Sequence, residues 1–337
     1  MKKRYFIFCV INLFMLASAC NQDDADSKEP TDKKILNSSP FSHLTDSISR
    51  FPENAQLYLG RAALLTGREL HQLANADYGK AWNLNPDETT AQLYVANMFL
   101  SGKEEAAINF LRECLAKFPA NPEFSRRLSE AYLQSGRSKE ALAQYNEILQ
   151  KDPGNFEAWY EKGLLLAQSE DTIDAIRALE KAYSLQPLQL FGLSLANLYA
   201  ETKNDKALSL CDALIRQDSA QELTDALFIK GVYYSNVNQK ELALEQFENC
   251  IRRDWKFTEA YIEKGILLFN DKNIDEALKT FALAAKVSNT YADAYYWMAR
   301  CFETIGKTEE ASENYRRALA LDRRFTEAKK ALERLNK

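Results

Sequence analysis

The residues able to do chemistry are few. His43 and His71 are the two histidines in 337 residues, and six cysteines stand at Cys9, Cys20, Cys114, Cys211, Cys250 and Cys301. Neither histidine belongs to a zinc-type ligand pattern. No glycine-rich phosphate loop, GxSxG elbow or HExxH helix occurs. Asp and Glu number 48 against 43 Lys and Arg, and they fall on what read as solvated helix faces. The expectation is a protein with no catalytic constellation, no metal site and no cofactor, whose function lies in a surface.

The elements that must present such a surface are set by a repeat. Ala74, Ala107, Ala141, Ala175, Ala207, Ala243, Ala277 and Ala311 are spaced by 33, 34, 34, 32, 36, 34 and 34 residues. Pro52, Pro86, Pro119, Pro153 and Pro187 keep the same beat through the first half. A period near 34 marks a solenoid of helix-turn-helix units. In the third unit, helix A reads EFSRRLSEAYLQS, Gly136 breaks it, and helix B reads KEALAQYNEILQKDP. Small residues are required where two helix backbones approach, which suits Ser129 on helix A and Ala141 on helix B. Tyr145 lies four residues after Ala141 on the same helical face. Pro153 closes the unit, having no N–H with which to extend a helix.

The other units repeat the layout. The small slot of helix A reads Ala62, Ala96, Ser129, Gly163, Ala196, Gly231, Gly265 and Ala299, and the bulky slot of helix B reads Tyr78, Leu111, Tyr145, Leu179, Cys211, Phe247, Phe281 and Tyr315. With the first alanine of helix B, these slots resemble the tetratricopeptide repeat over about residues 55–325. The resemblance implies an all-α fold, a right-handed superhelix (α-solenoid) of about eight repeats. Units two and five depart from it by an A–B spacing of eleven residues, Ala96 to Ala107 and Ala196 to Ala207, against twelve elsewhere. The connection near Ser219–Thr224 is longer than the others, a place for a hinge or for a harmless length variation. Residues 41–54 and 326–337 read as capping helices, which a solenoid needs to cover its ends.

The N-terminus is a separate signal. Lys2, Lys3 and Arg4 precede an apolar run from Tyr5 to Leu16. That run is too short to span a bilayer, and residues 1–19 read as a secretory signal peptide. Ala17-Ser18-Ala19-Cys20 resembles a bacterial lipobox, in which the cysteine thiol takes a diacylglycerol and becomes the membrane anchor. Ala17 stands where leucine is usual, and the same residues suit ordinary signal peptidase, which would release a soluble periplasmic protein. Residues 20–40 are polar, acidic at first and without apolar period, as expected of a disordered tether. The acidic start resembles a surface-export signal, leaving the periplasmic and surface faces of the outer membrane both open.

Cys114, Cys211, Cys250 and Cys301 fall in or beside core slots and read as buried thiols rather than disulfides. Losing Lys2, Lys3 and Arg4 with the signal takes the formal charge from −5 to −8. A mildly acidic solenoid with no basic stripe is a poor nucleic-acid binder.

The resemblance places partner binding in a concave groove lined by stacked A helices, at positions three before, one after and four after the helix-A slot. In the middle and later units these positions include Tyr160, Leu164, Phe228, Val232, Ile262, Ile266, Phe269 and Tyr296. Such residues suit an amphipathic helix or an apolar segment, and they equally suit lateral packing between neighbouring A helices. The first half is more polar, with Asn97, Arg126, Glu130 and Asn197; at the far end Arg300 and Glu303 add polar groups beside Tyr296. Glu123, Glu157, Asp225, Glu259 and Asp293 open their helices, where the macrodipole accounts for them. The expectation is a membrane-tethered scaffold of the bacterial envelope that binds protein partners in its groove. A lipid or glycan carrier is the alternative, and the tail at 21–40 is a candidate occupant of the groove.

Overall fold

The structure, a computed structural model, describes residues 29–218 and 223–335. Its nineteen helices are joined by turns, with no strand among the described residues. The helices α1 (Glu29–Leu36) and α2 (Ser42–Arg50) precede eight A/B pairs. These are α3/α4 (Ala55–Thr66, His71–Leu84), α5/α6 (Glu88–Leu100, Glu104–Lys117), α7/α8 (Pro122–Gln134, Ser138–Lys151) and α9/α10 (Phe156–Gln168, Thr172–Leu185). There follow α11/α12 (Gln189–Glu201, Lys206–Gln217), α13/α14 (Thr224–Asn236, Lys240–Arg253), α15/α16 (Thr258–Asn270, Ile274–Val287) and α17/α18 (Ala292–Thr304, Thr308–Leu321). The last helix is α19 (Thr326–Leu335). The protein is a helical solenoid. Signal segment 1–19, Cys20 and the tether as far as residue 28 lie outside the described residues, as does 219–222 of the long connection.

Each A–B turn is made the same way. One residue per pair takes a left-handed backbone, at Glu69, Gly102, Gly136, Glu170, Lys203, Asn238, Lys272 and Gly306. It stands five residues before the helix-B alanine in every pair except the fifth, where Lys203 is four before Ala207. The shortened fifth turn is therefore present. The second is not, because Ser101-Gly102-Lys103 matches Ser135-Gly136-Arg137 in length. The missing residue lies upstream, where three residues join α4 to α5 against four from α6 to α7. Counting back from Gly102 as from Gly136 puts the slot of α5 at Val95, fully buried, and not at Ala96, which is partly exposed.

The slots do the packing predicted of them. Ala62, Ser129, Ala196 and Ala299 are 0% exposed, as are all eight helix-B alanines. At Gly231 an added Cβ would meet the Phe247 ring at 2.5 Å, and at Gly265 it would meet Phe281 as closely. Only a residue without a side chain leaves room for those rings. Asn54, Asp87 and Asn121 cap α3, α5 and α7 by accepting from the amides of Gln56, Thr90 and Glu123. Each satisfies a backbone donor that the first turn leaves open.

The N-terminal cap is more elaborate than its polarity suggested. Part of the proposed disordered tether, 29–36, is the helix α1. Its Ile35 and Leu36 pack against a cluster containing Phe41, Leu65 and Tyr78, a pair of apolar side chains that the segment's average polarity hides. Arg61 on α3 and Asp77 on α4 form a buried two-pronged ion pair, with Nε–Oδ2 and Nη2–Oδ1 both at 2.7 Å. Arg61 Nη1 also donates to Thr45 Oγ1 at 3.0 Å, and Thr45 donates to the Leu36 carbonyl at 2.7 Å. The cap is thereby tied to the first pair by charge as well as by apolar contact.

The chain forms two compact units, one ending at Leu165 and one beginning at Leu166. In the first, successive helices pack on one another from α2 to α8. In the second they do so from α10 to α19, and the A helices α11, α13, α15 and α17 also touch their A neighbours.

Candidate partner-binding face

Lateral contact between A helices decides which of their side chains a partner can reach. Phe228 on α13 is 7% exposed, with its ring 5.6 Å from Phe247 and 5.3 Å from Phe257. Ile262 and Phe269 on α15 are buried, and Phe269 meets the Trp297 ring edge-on at 5.6 Å. Tyr160 and Leu164 on α9 are buried as well. These five offer little surface to a partner. Val232, Ile266 and Tyr296 remain partly exposed, so the apolar part of the predicted row is narrower than its spacing implied.

Tyr296 is the most elaborately placed of the three. Its ring lies 4.8 Å from Phe325 and 5.8 Å from Tyr315, and its hydroxyl accepts from Arg300 Nη1 at 3.2 Å. The Arg300 guanidinium also sits over the rings of Phe269 and Trp297, at 5.4 and 5.6 Å, a stabilising position for a planar cation. Glu303 accepts from Tyr315 Oη at 2.8 Å and pairs with Arg334.

The first unit is arranged differently. With its slot at Val95, α5 contributes Gln92, Ala96 and Phe99 to the row, and Asn97 leaves it. Asn97 is 1% exposed and forms the hub of a polar network. Its Oδ1 accepts from Thr66 Oγ1 at 2.9 Å and lies 3.0 Å from His71 Nδ1. Its amide nitrogen donates to the His71 carbonyl and to Asn75 Oδ1, while Asn75 donates to Ser101 Oγ at 2.7 Å. Every polar group of Asn97 is used in joining the first two pairs, which makes it structural.

Beside that row, Leu93 and Leu100 are 43% and 58% exposed. They lie seven residues apart, two turns along one face of α5. They are the positions three before and four after Ala96, whereas the register set by Gly102 gives Gln92, Ala96 and Phe99 and leaves both leucines beside the row. Arg126 on α7 is not a free cation. Its Nη2 and Nε donate to Glu123 at 2.7 and 2.9 Å, and Nη1 pairs with Glu130. Its hydrogen bond to Glu123 is the main cause holding that carboxyl below its ordinary range. Glu130 is instead raised, by burial first. Asn197 on α11 is partly exposed.

The second unit holds a strongly shifted acidic side chain. Glu263 on α15 is pushed up to about 7, by burial first and then by the charges of Glu201 and Asp293. Asp225 on α13 is also raised, by burial and then by Glu259 and Asp254 among its neighbours. Cys114, Cys211, Cys250 and Cys301 are free and buried. Burial pushes each thiol up to about 12, leaving almost no thiolate for nucleophilic attack at neutral pH. Among the described residues no group of three or more His, Cys, Asp and Glu side chains is placed to hold a metal ion.

Comparison with known proteins gives matches to the tetratricopeptide repeat at residues 98–168, 156–187 and 292–325. A peroxisomal targeting signal receptor of Eremothecium gossypii is 23% identical over 259 residues, 76% of this chain and 42% of its own. The human DnaJ homolog subfamily C member 7 is 24% identical over 197 residues, 58% of this chain and 36% of its own. The chain spans between 12% and 42% of the length of the curated relatives it matches. The crystal structure of a tetratricopeptide repeat protein from Parabacteroides merdae superposes with a TM-score of 0.61 at 16% identity. That match covers 72% of this chain and 96% of the other.

Proposed function

We propose, from the premise that this chain is a tetratricopeptide-repeat protein, that it is a non-catalytic scaffold binding protein partners through its A helices and tethered to a bacterial membrane at Cys20. Tetratricopeptide-repeat proteins generally serve as scaffolds that bind protein partners. A relative named as a targeting signal receptor supports recognition of a peptide segment. The observation carrying the reading for this chain is the exposed pair Leu93 and Leu100 on α5. Two large aliphatic side chains left in water on one helical face are an anchor for an amphipathic helix or an apolar segment. Arg126, with its carboxylate partners, stands on the next A helix as a polar neighbour, while Val232, Ile266, Tyr296 and Arg300 supply the corresponding groups of the second unit.

The tether rests on the sequence of residues 1–20, a signal-like apolar run ending in Ala-Ser-Ala-Cys. On this reading the protein belongs to the bacterial envelope, lipid-anchored to the outer membrane. Crosslinking in cells followed by mass spectrometry of what copurifies tests the scaffold. A partner captured by wild type and lost from Leu93→Asp/Leu100→Asp supports it; equal capture by both removes this face from the reading. Cys20→Ala tests the anchor. Unchanged partition into membranes after that substitution would sink it.

A further inference from the structure

One edge of the second unit is charged against the chain's formal −5. Early pairs are closed by Pro86, Pro119 and Pro153, and the connections that hold these prolines, 85–87, 118–121 and 152–155, contain no Lys or Arg. In the last three pairs Trp255, Asn289 and Arg323 continue the beat in proline's place. Lys256 follows Trp255, and Arg324 follows Arg323. Arg252 and Arg253 end α14, and Lys286 lies in the last turn of α16. All six cations are exposed, and among the described residues none forms an ion pair. Trp255 and Leu321 beside them are 61% and 39% exposed.

The macrodipole accounts for Arg252, Arg253 and Lys286 at helix C-termini, as it does for Glu259, Asp293 and Glu327 at the following N-termini. It does not account for Lys256, Arg323 and Arg324, which stand just before α15 and α19, where anions are favoured. The carboxylates of the same connections are occupied. Asp254 and Asp322 are half-buried, and each accepts the amide two residues on, at 2.9 Å. Successive helices pack from α14 to α19, and antiparallel stacking brings alternate connections to one edge. Stacking thus gathers cations that lie two repeats apart in sequence, which is why no basic stripe is legible there.

We propose that this edge lies on an anionic lipid bilayer, with Lys256, Arg323 and Arg324 among the phosphates and Trp255 and Leu321 at the interface. It rests on the membrane-tether reading above and specifies which edge of the second unit meets the lipid. Each Lys or Arg held near an anionic leaflet raises partition about fivefold. An indole settles at headgroup level, with its ring in apolar surroundings and its N–H in water. Nucleic acid offers phosphates too, but its bases reward aromatic stacking, for which Leu321 has no ring. A bilayer interface takes both side chains.

The test uses the full chain carrying Cys20→Ala, so that no acyl chain contributes, and vesicles of phosphatidylcholine alone or with about one-third phosphatidylglycerol. Cosedimentation should show at least tenfold tighter binding to the anionic vesicles, reversed by high salt, with a blue shift in tryptophan emission. Lys256→Glu/Arg323→Glu/Arg324→Glu should weaken that binding at least tenfold. Lys80→Glu/Lys103→Glu/Lys139→Glu makes the same charge change at exposed positions of the first unit and should weaken it at most threefold. Trp255→Ser should remove the blue shift and weaken binding at least twofold, and as a single exposed substitution it keeps the test decisive if a triple variant fails to fold. Equal binding to the two vesicles overturns the proposal. So do equal weakening by the two triple variants, a blue shift that survives Trp255→Ser, and tighter binding of a single-stranded RNA than of the anionic vesicles. Failure here leaves the anchor standing, since no acyl chain takes part. A high-salt wash keeps the two apart in cells, because it strips this edge from a bilayer and leaves an acyl chain in place.

Discussion

The two compact units use one repeat to opposite ends. In the first, the A helix α5 leaves Leu93 and Leu100 in water and buries its polar residue, Asn97, in a satisfied network. In the second, the A helices bury Phe228, Ile262 and Phe269, while Leu190, Val232, Ile266 and Tyr296 keep part of their surface in water. The same helical face can therefore be spent on recognition or on cohesion. Neighbouring A helices in contact consume part of their apolar residues, and the apolar surface left over is narrower. An exposed leucine on such a face is surplus to folding.

Substitutions separate the two uses by size of effect. Phe228→Ala in the second unit should cost about 3–5 kcal/mol, since the ring is enclosed by Phe247 and Phe257 and its loss leaves a cavity. In the first unit, Asp77→Ala should cost a similar ~3–5 kcal/mol by leaving Arg61 buried without its partner. Urea denaturation read by circular dichroism checks both, and a loss below 1 kcal/mol in either would break the assignment of that residue to the core.

Glu263 gives the next effect. Its raised value means that an unfolded chain, with a carboxyl near 4.5, gives up this proton before the folded chain does. Below about pH 4.5 the group costs nothing. Stability then falls as pH rises towards 7, and the loss is complete above that, amounting to at most roughly 3 kcal/mol. Glu263→Gln should be the more stable protein at pH 7.5 and equal to wild type at pH 4. Thermal melts at the two values would show it, and a gain of the same size at both would place the cause elsewhere. Gly231→Ala follows, at about 1–3 kcal/mol from driving a methyl into the Phe247 ring. The smallest change in stability, within about 0.5 kcal/mol, should come from Leu93→Asp/Leu100→Asp, the pair that should cost partner capture most.

Sequence alone made the eight pairs legible because each needs the same small, bulky and left-handed positions, and these recur as residue types. The face was only partly legible. At Ala96 a small residue sat beside the true slot, Val95, and the shift of one residue turned Asn97 from interior hub into apparent groove. Gly102 held the register, since it marks the left-handed turn in the same place as Gly136. Phe228 and Ile262 were unreadable for a different reason. Their helical position faces both the groove and the adjacent A helix, and periodicity cannot say how closely that neighbour comes.

The buried thiols have a use as clocks. Cys114 belongs to the first unit, while Cys211, Cys250 and Cys301 belong to the second. A thiol pushed up to about 12 by burial is protected from alkylation until its surroundings open. Timed alkylation read by mass spectrometry therefore reports how often each unit breathes, in the unmodified protein and without a label. A partner that closes on one unit should slow that unit's clock and leave the other running.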